Sequence, residues 1–297
     1  MTLLAIVLMC LIWGLTWVAI KIGLEDLPPL LSAGVRFVLA SAILWPAVLW
    51  RRLALPKNWP ELRAILIPGF FIYSINYALV YWGEQYIGAG LAAILFASIP
   101  FLVALFAHYM LAAEKMTYAK LTGLTTGFLG IVLVFYGGLS FGPDSYWGML
   151  ALLGSSLSAA YANILVKRDL HYTDPMLATA LQMSLGAILL LGLGTLSESW
   201  KNFHLTPRAL GSLLYLSIFG SAVAFSLYFW ALKKTEVTKM SLIAFVTPLV
   251  ALAGGHWILD EPITGRLAIG SLMVLAGILI INYFPALKGK RFGAQKS

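Results

Sequence analysis

Tyr73, Tyr77 and Tyr81 stand four residues apart in a stretch that carries no charge between Arg63 and Glu84, with Asn76 beside them. On a helix, positions four apart share a face, so three phenols and an amide form one stripe. Such a stripe binds rather than reacts: it offers hydrogen bonds and π faces but no acid–base pair. Trp13 and Trp17 repeat the spacing with indoles, which stack on aromatic or aliphatic solutes. Asn163 puts an amide into another apolar run, where it must face the protein interior or a cavity. Ser98 precedes Pro100 by two residues, and Thr247 directly precedes Pro248. Proline removes a backbone hydrogen bond and can open a helix around a cavity. Each group also has a plainer reading. Tyr81 and Trp82 fit an interfacial aromatic belt, the indoles fit packing, and the two hydroxyls fit patches on freed carbonyls.

The charged candidates are few. Arg36 lies within an apolar run, where a charge is costly and needs a partner. An ion pair with Glu84, Glu25 or Asp26 is the expected role, and a hold on a substrate carboxylate or a part in a gate is the sharper one. Glu84 is the best carboxylate for proton coupling. His108 and His256 occupy corresponding places but are expected near opposite surfaces, so they form no joint metal site. Cys10 is the single cysteine, which excludes an internal disulfide and multi-cysteine metal sites. No H-E-x-x-H, no G-x-S-x-G and no pair of carboxylates deep in an apolar run is present, which leaves a lipid-modifying intramembrane enzyme as a remote alternative. No cofactor and no metal are called for. The net charge of +8 comes without a basic stripe or reader motif, so nucleic acid is not an expected partner.

The elements that must position these residues are membrane helices. The chain is 61% hydrophobic and 11% charged, with mean hydropathy +0.89, far from the roughly 25% charged residues of soluble domains. Uncharged stretches approach the ~20 residues that cross a bilayer as a helix. Spans are expected at 2–20, 30–50, 62–83, 88–111, 118–137, 146–166, 175–195, 208–231, 238–258 and 264–284, punctuated by turn residues such as Pro28-Pro29, Asp174-Pro175 and Thr206-Pro207. Placing both termini in the cytoplasm puts fifteen Lys and Arg inside and four (Lys21, Lys201, Arg208 and Arg266) outside, the orientation favoured by the positive-inside rule.

The chain also repeats itself. PFLVALFAHYMLAAE (100–114) returns as PLVALAGGHWILDEP (248–262). At an offset of 148 Trp82 falls on Trp230 and His108 on His256, and at 147 Glu114 falls on Glu261, Gly123 on Gly270 and Gly130 on Gly277. Two five-helix halves, 1–140 and 146–290, follow, with 291–297 as a cytoplasmic tail. Because five is odd, the second half enters the membrane inverted, the architecture of many secondary transporters. The counterparts of Tyr73, Asn76 and Tyr77 are Ser221, Ala224 and Phe225. A pocket between the halves would then have one hydrogen-bonding wall and one apolar wall, suited to a small amphipathic solute. Pro100 and Pro248 are expected to bend two helices that govern access from opposite sides.

The stretches IWGLTWVAIKIG (12–23), AGVRFVLA (33–40), AAILFASIPFLVALFAHYMLAAEKMT (92–117) and HWILDEPITGRLAIGSLMVLAGILI (256–280) resemble the EamA family of the drug/metabolite transporter superfamily. That resemblance covers nearly the whole chain. It implies an all-α polytopic membrane protein of ten helices around a central cavity, in a bacterial inner membrane, exporting amino acids or other small metabolites. A lipid-linked sugar flippase and a multidrug exporter stay open as alternatives, as does the choice between monomer and homodimer.

Overall fold

The computed structural model describes residues 2–110, 117–138, 142–170, 173–232 and 242–293. Glu114, Lys115, Lys233, Lys234, Lys239 and tail residues 294–297 lie outside them. The described residues form ten helical rods and no strand. Rods one and two are α1 (Thr2–Gly23) and α2 (Pro29–Trp50). Rod three joins α3 (Trp59–Gly69) through a π-helical stretch, Phe70–Ile75, to α4 (Asn76–Glu84). Rod four is α5 (Ala89–Phe96) and α6 (Ile99–Met110). Next come α7 (Tyr118–Gly138), α8 (Ser145–Asp169) and α9 (Pro175–Ser197). Rod eight joins α10 (Pro207–Leu214) through a second π-helical stretch, Tyr215–Val223, to α11 (Ala224–Leu232). The last two are α12 (Leu242–Leu259) and α13 (Gly265–Gly293), which runs into the expected tail.

Local chemistry explains the boundaries. Proline opens α2, α9 and α10, where its missing N–H is no loss. Asp174 accepts from the Met176 N–H (2.9 Å) and Thr206 from the Ala209 N–H (3.2 Å). Asn58 caps α3 through Oδ1, which accepts from the Glu61 N–H, and Glu61 Oε2 accepts in return from the Lys57 N–H just before the cap, both at 2.9 Å. Six rods, Leu4–Gly23, Pro29–Trp50, Trp59–Glu84, Ala89–Met110, Ser145–Asp169 and Pro175–Ser197, are long and apolar enough to cross a membrane, and Tyr118–Val134, Val246–Leu259 and Gly265–Ile281 are shorter apolar helices. The protein is an all-α polytopic membrane protein.

The two prolines singled out in the repeat behave differently. Pro100 lacks the N–H that would reach the Phe96 carbonyl, and rod four breaks at Ala97-Ser98. Pro248 lies inside α12, which continues from Leu242 to Leu259, so it does not split its rod as Pro100 does. The Thr247 hydroxyl donates to the Ile243 carbonyl at 2.6 Å, adding a bond in the turn the proline weakens.

Packing between the halves is reciprocal. Rods one and nine pair (α1 with α12), as do four and six (α6 and α5 with α8); α2 packs on α9, and α7 on α13. Gly123 and Gly277 approach so closely that a Cβ on either would lie 2.6–2.8 Å from the other's carbonyl oxygen, and Gly130 with Gly270 repeats this at 2.7–2.8 Å. In the bilayer, where apolar burial gives no drive, such backbone contact through small residues holds helices together. Exchanging the halves turns the first glycine pair into the second.

Candidate functional site

A cavity of about 590 Å³ lies between the halves. Trp13, Thr16, Trp17 and Ile20 of α1 and Arg36 of α2 form one side, and Tyr73, Asn76, Tyr77 and Val80 of rod three the next. Phe96, Ala97 and Pro100 come from rod four, Ala159 and Asn163 from α8, Phe225 and Tyr228 from α11, and Ile243, Thr247 and Pro248 from α12. The volume is that of a small-solute pocket. A shallower recess of about 870 Å³ lies between the α1–α2 turn and residues 197–204. Its carboxylates are engaged: Glu198 on the Leu30 and Leu31 N–H groups, Asp26 with the Thr206 hydroxyl, and Glu25 with Arg208 at 3.5 Å. The cavity, by contrast, holds polar groups without partners among the described residues.

Arg36 is 2% exposed. It donates from Nη1 to the Tyr81 hydroxyl (3.3 Å) and from Nε to Ser221 Oγ (3.4 Å), and its Cζ lies 5.1 Å from the Tyr77 ring centroid and 5.6 Å from that of Phe37. The expected ion pair is therefore corrected. Among the described residues Arg36 forms no salt bridge, and a phenol, a hydroxyl and two ring faces surround it. Cation–π contact offsets part of the burial, yet most of its five N–H donors have no protein acceptor among those residues. Asn76 supplies the opposite need: Nδ2 donates to the Ile72 carbonyl at 3.0 Å, and Oδ1 is buried with no partner among the described residues.

Aromatic rings frame these two groups. Tyr73 and Tyr77 stack with centroids 6.1 Å apart and planes 2° apart, and Phe37 meets both edge-on at 5.3 and 4.7 Å. Opposite, Trp13 packs against Phe225 at 5.6 Å and Tyr228 at 5.8 Å, and Trp17 against Phe96 at 5.0 Å. The Trp13 indole N–H is anchored on the Gly220 carbonyl at 3.2 Å.

Of the residues singled out by sequence, Trp13, Trp17, Tyr73, Asn76, Tyr77, Asn163, Phe225, Thr247, Arg36, Pro100 and Pro248 all lie on this cavity. Tyr81, Ser98 and Glu84 do not. Beyond the π-helical stretch the rod is α-helical, where a step of four residues overshoots a turn by about 40°, so by Tyr81 the stripe has wound off the wall; that phenol is fully buried behind Arg36 rather than in a surface belt. Ser98 is buried with its hydroxyl unpartnered, and so is the Glu84 carboxyl. His108 edges the Tyr109 ring, and His256 Nδ1 lies 2.9 Å from the Glu261 carbonyl, so the two histidines share no site. Sequence reasoning missed Tyr228 and Phe96, although Tyr228 lies one turn beyond Phe225, and it missed the role of Ser221 on Arg36.

It also missed how one end of the bundle is held. Gly88 and Pro28 precede α5 and α2 and cap neither with a side chain. Carboxylates from the second half do so instead. Glu261 accepts from the Ala89 N–H (2.6 Å) and the Gly90 N–H (3.0 Å), and Glu198 from those of Leu30 and Leu31, both at 2.9 Å. A Cβ at Gly88 would lie 2.6 Å from the Glu261 carboxyl carbon, so that cap requires glycine there. Beside it, the Lys21 ammonium donates to the carbonyls of Glu84 (2.5 Å), Gln85 (3.3 Å) and Ile87 (2.8 Å).

The model of the EamA-like transporter family matches residues 1–136 and again residues 146–283. The chain belongs to the EamA-like transporter family. EamA relatives span it almost end to end. The uncharacterized transporter YoaV of Bacillus subtilis is 29% identical over 95% of this chain and 96% of its own length. The uncharacterized inner membrane transporter YedA of Escherichia coli K12 is 30% identical over 93% and 90%. A transporter of Archaeoglobus fulgidus is 29% identical over 91% and 94%. One solved crystal structure, 20% identical, matches with a TM-score of 0.69 over 95% of this chain and 98% of that one. Its likeness establishes the fold. The EamA assignment makes the chain a multi-pass membrane transporter.

Proposed function

We propose that the protein is a secondary transporter that exports small zwitterionic metabolites such as amino acids across the inner membrane by alternating access. In this reading the halves 1–140 and 146–290 are inverted repeats, both termini are cytoplasmic, and the solute sits in the cavity between them. One observation carries the substrate class: a guanidinium without an acidic partner and a carboxamide oxygen without a donor, among the described residues, line the same aromatic-walled cavity. Arg36 takes the carboxylate, Asn76 Oδ1 takes an ammonium proton, and the side chain packs between the tyrosine and tryptophan walls. The reciprocal packing of the glycine pairs supports the inverted repeat.

Isothermal titration of the purified protein in lipid nanodiscs with L-leucine and L-phenylalanine tests the site. Arg36→Gln, which installs the residue found at Gln182, its counterpart at the offset of 146 that also aligns Pro29 with Pro175, removes charge-assisted bonds worth roughly 1.5–3 kcal/mol. Affinity should fall between about tenfold and a hundredfold. Equal affinity of the variant and the wild type would remove Arg36 from the site.

A further inference from the structure

The Glu84 carboxyl has no role in the cavity, the caps or the helix contacts. It is 0% exposed at the C-terminus of α4, and neither oxygen has a hydrogen-bond partner among the described residues. A carboxylate buried without hydrogen bonds or a direct partner is among the most costly groups a protein can hold as an anion.

The charges around it are committed elsewhere. Those of Lys21 from α1, Glu261 from the segment before α13 and Arg36 from α2 lie within electrostatic reach of its carboxyl. Lys21 is held on backbone carbonyls, Glu261 on the Ala89 and Gly90 N–H groups, and Arg36 on Tyr81 and Ser221. From its own helix Tyr81 stands nearby. On α8, the contacts at neighbouring Gly83 are Gly148, Ala151 and Leu152, none of them titratable. Among the described residues, Arg36 is thus the one charge that touches both the cavity and the surroundings of Glu84.

We propose that Glu84 is a proton-binding site linked through Arg36 to the solute carboxylate, so that proton and solute bind and cross together. This rests on the transport reading above. With the cavity empty, the guanidinium charge offsets part of the cost of burying an anion at Glu84. A solute carboxylate on Arg36 cancels that charge, and Glu84 takes a proton from water; when the solute leaves, the proton leaves. Export then runs down the metabolite's own gradient and carries a proton outward.

Two measurements separate the proposal from the reading beneath it. Infrared titration in nanodiscs without solute should show a carboxylic-acid C=O band that disappears in Glu84→Gln and returns, shifted, in Glu84→Asp. An unchanged band in a folded Glu84→Gln protein overturns the proton site alone. Titration calorimetry with L-phenylalanine in buffers of different ionisation enthalpy should show proton uptake on binding, with affinity falling up to tenfold per pH unit for one linked proton. Glu84→Gln should abolish both the uptake and the pH dependence. Proton release on binding, or uptake that persists in Glu84→Gln, overturns the linkage. Failure of the wild type to bind either amino acid overturns the transport reading, while the infrared result still decides the protonation of Glu84.

Discussion

Replacing Glu261 tests whether the two halves are held at the Lys21 end by helix caps. In Glu261→Ala the Ala89 and Gly90 N–H groups lose their acceptors at 2.6 and 3.0 Å. Each bond to a charged acceptor contributes about 1.5–3 kcal/mol, and a carboxylate at a helix N-terminus adds about 0.3–1 kcal/mol. Once the halves separate, water replaces much of this, so a net cost of about 3 kcal/mol to the tethered state is the working figure. That shifts an equilibrium between tethered and open arrangements by about a hundredfold. Glu261→Gln, which keeps one neutral acceptor, should give about half the effect in free energy. With Cys10 replaced by serine, spin labels at the exposed positions 85 and 260 lie on either side of the tether. Pulsed electron resonance in nanodiscs should show a longer-distance population growing from wild type through Gln to Ala. Identical distance distributions in all three proteins would refute the reasoning and leave Glu261 as a local cap only.

Asn76→Ala, which removes the unpartnered Oδ1, should weaken L-phenylalanine binding about tenfold by calorimetry, from the roughly 1–3 kcal/mol of a lost buried hydrogen bond. Tyr77→Phe keeps the ring face beneath Arg36 and should change affinity much less; equal losses in both would show that the solute depends on the phenol hydroxyl as well. Gly123→Leu forces a side chain to within 2.8 Å of the Gly277 carbonyl and should destabilise the detergent-solubilised protein by about 1–3 kcal/mol in thermal unfolding. Gly192→Leu, where nothing lies within 4 Å, serves as the control. Equal melting of these two variants would count against the α7–α13 crossing.

The helices were legible because their signals are local. Apolar runs of membrane length and residues such as Asp174-Pro175 and Thr206-Pro207 mark where rods begin, and the structure starts α9 and α10 there. The phenol stripe was legible as far as Tyr77 and not at Tyr81, because four-residue spacing drifts around a helix. The unbroken passage of α12 through Pro248 was not readable from a proline that matches Pro100 in the repeat. A proline inside an apolar run removes one bond, and whether the helix continues past it depends on packing that the run itself does not display. The partners of Arg36 were illegible for another reason. Ser221 is 185 residues away in sequence, and nothing around it marks a contact with a cation. The caps at α2 and α5 come from 168 and 172 residues away, so the lack of a capping side chain at Pro28 and Gly88 was the only local trace of them.

The tether at Glu261 joins a side chain to main chain, and this makes it lopsided under mutation. Ala89 and Gly90 contribute only their N–H groups, which every residue but proline provides. Most exchanges on the receiving helix therefore leave the contact unchanged, apart from those that crowd Gly88. Its strength is set almost wholly from one position. A lineage that needed a looser or tighter closure could reach it by a single change at residue 261, and pairwise covariation between the halves would leave little record of the adjustment.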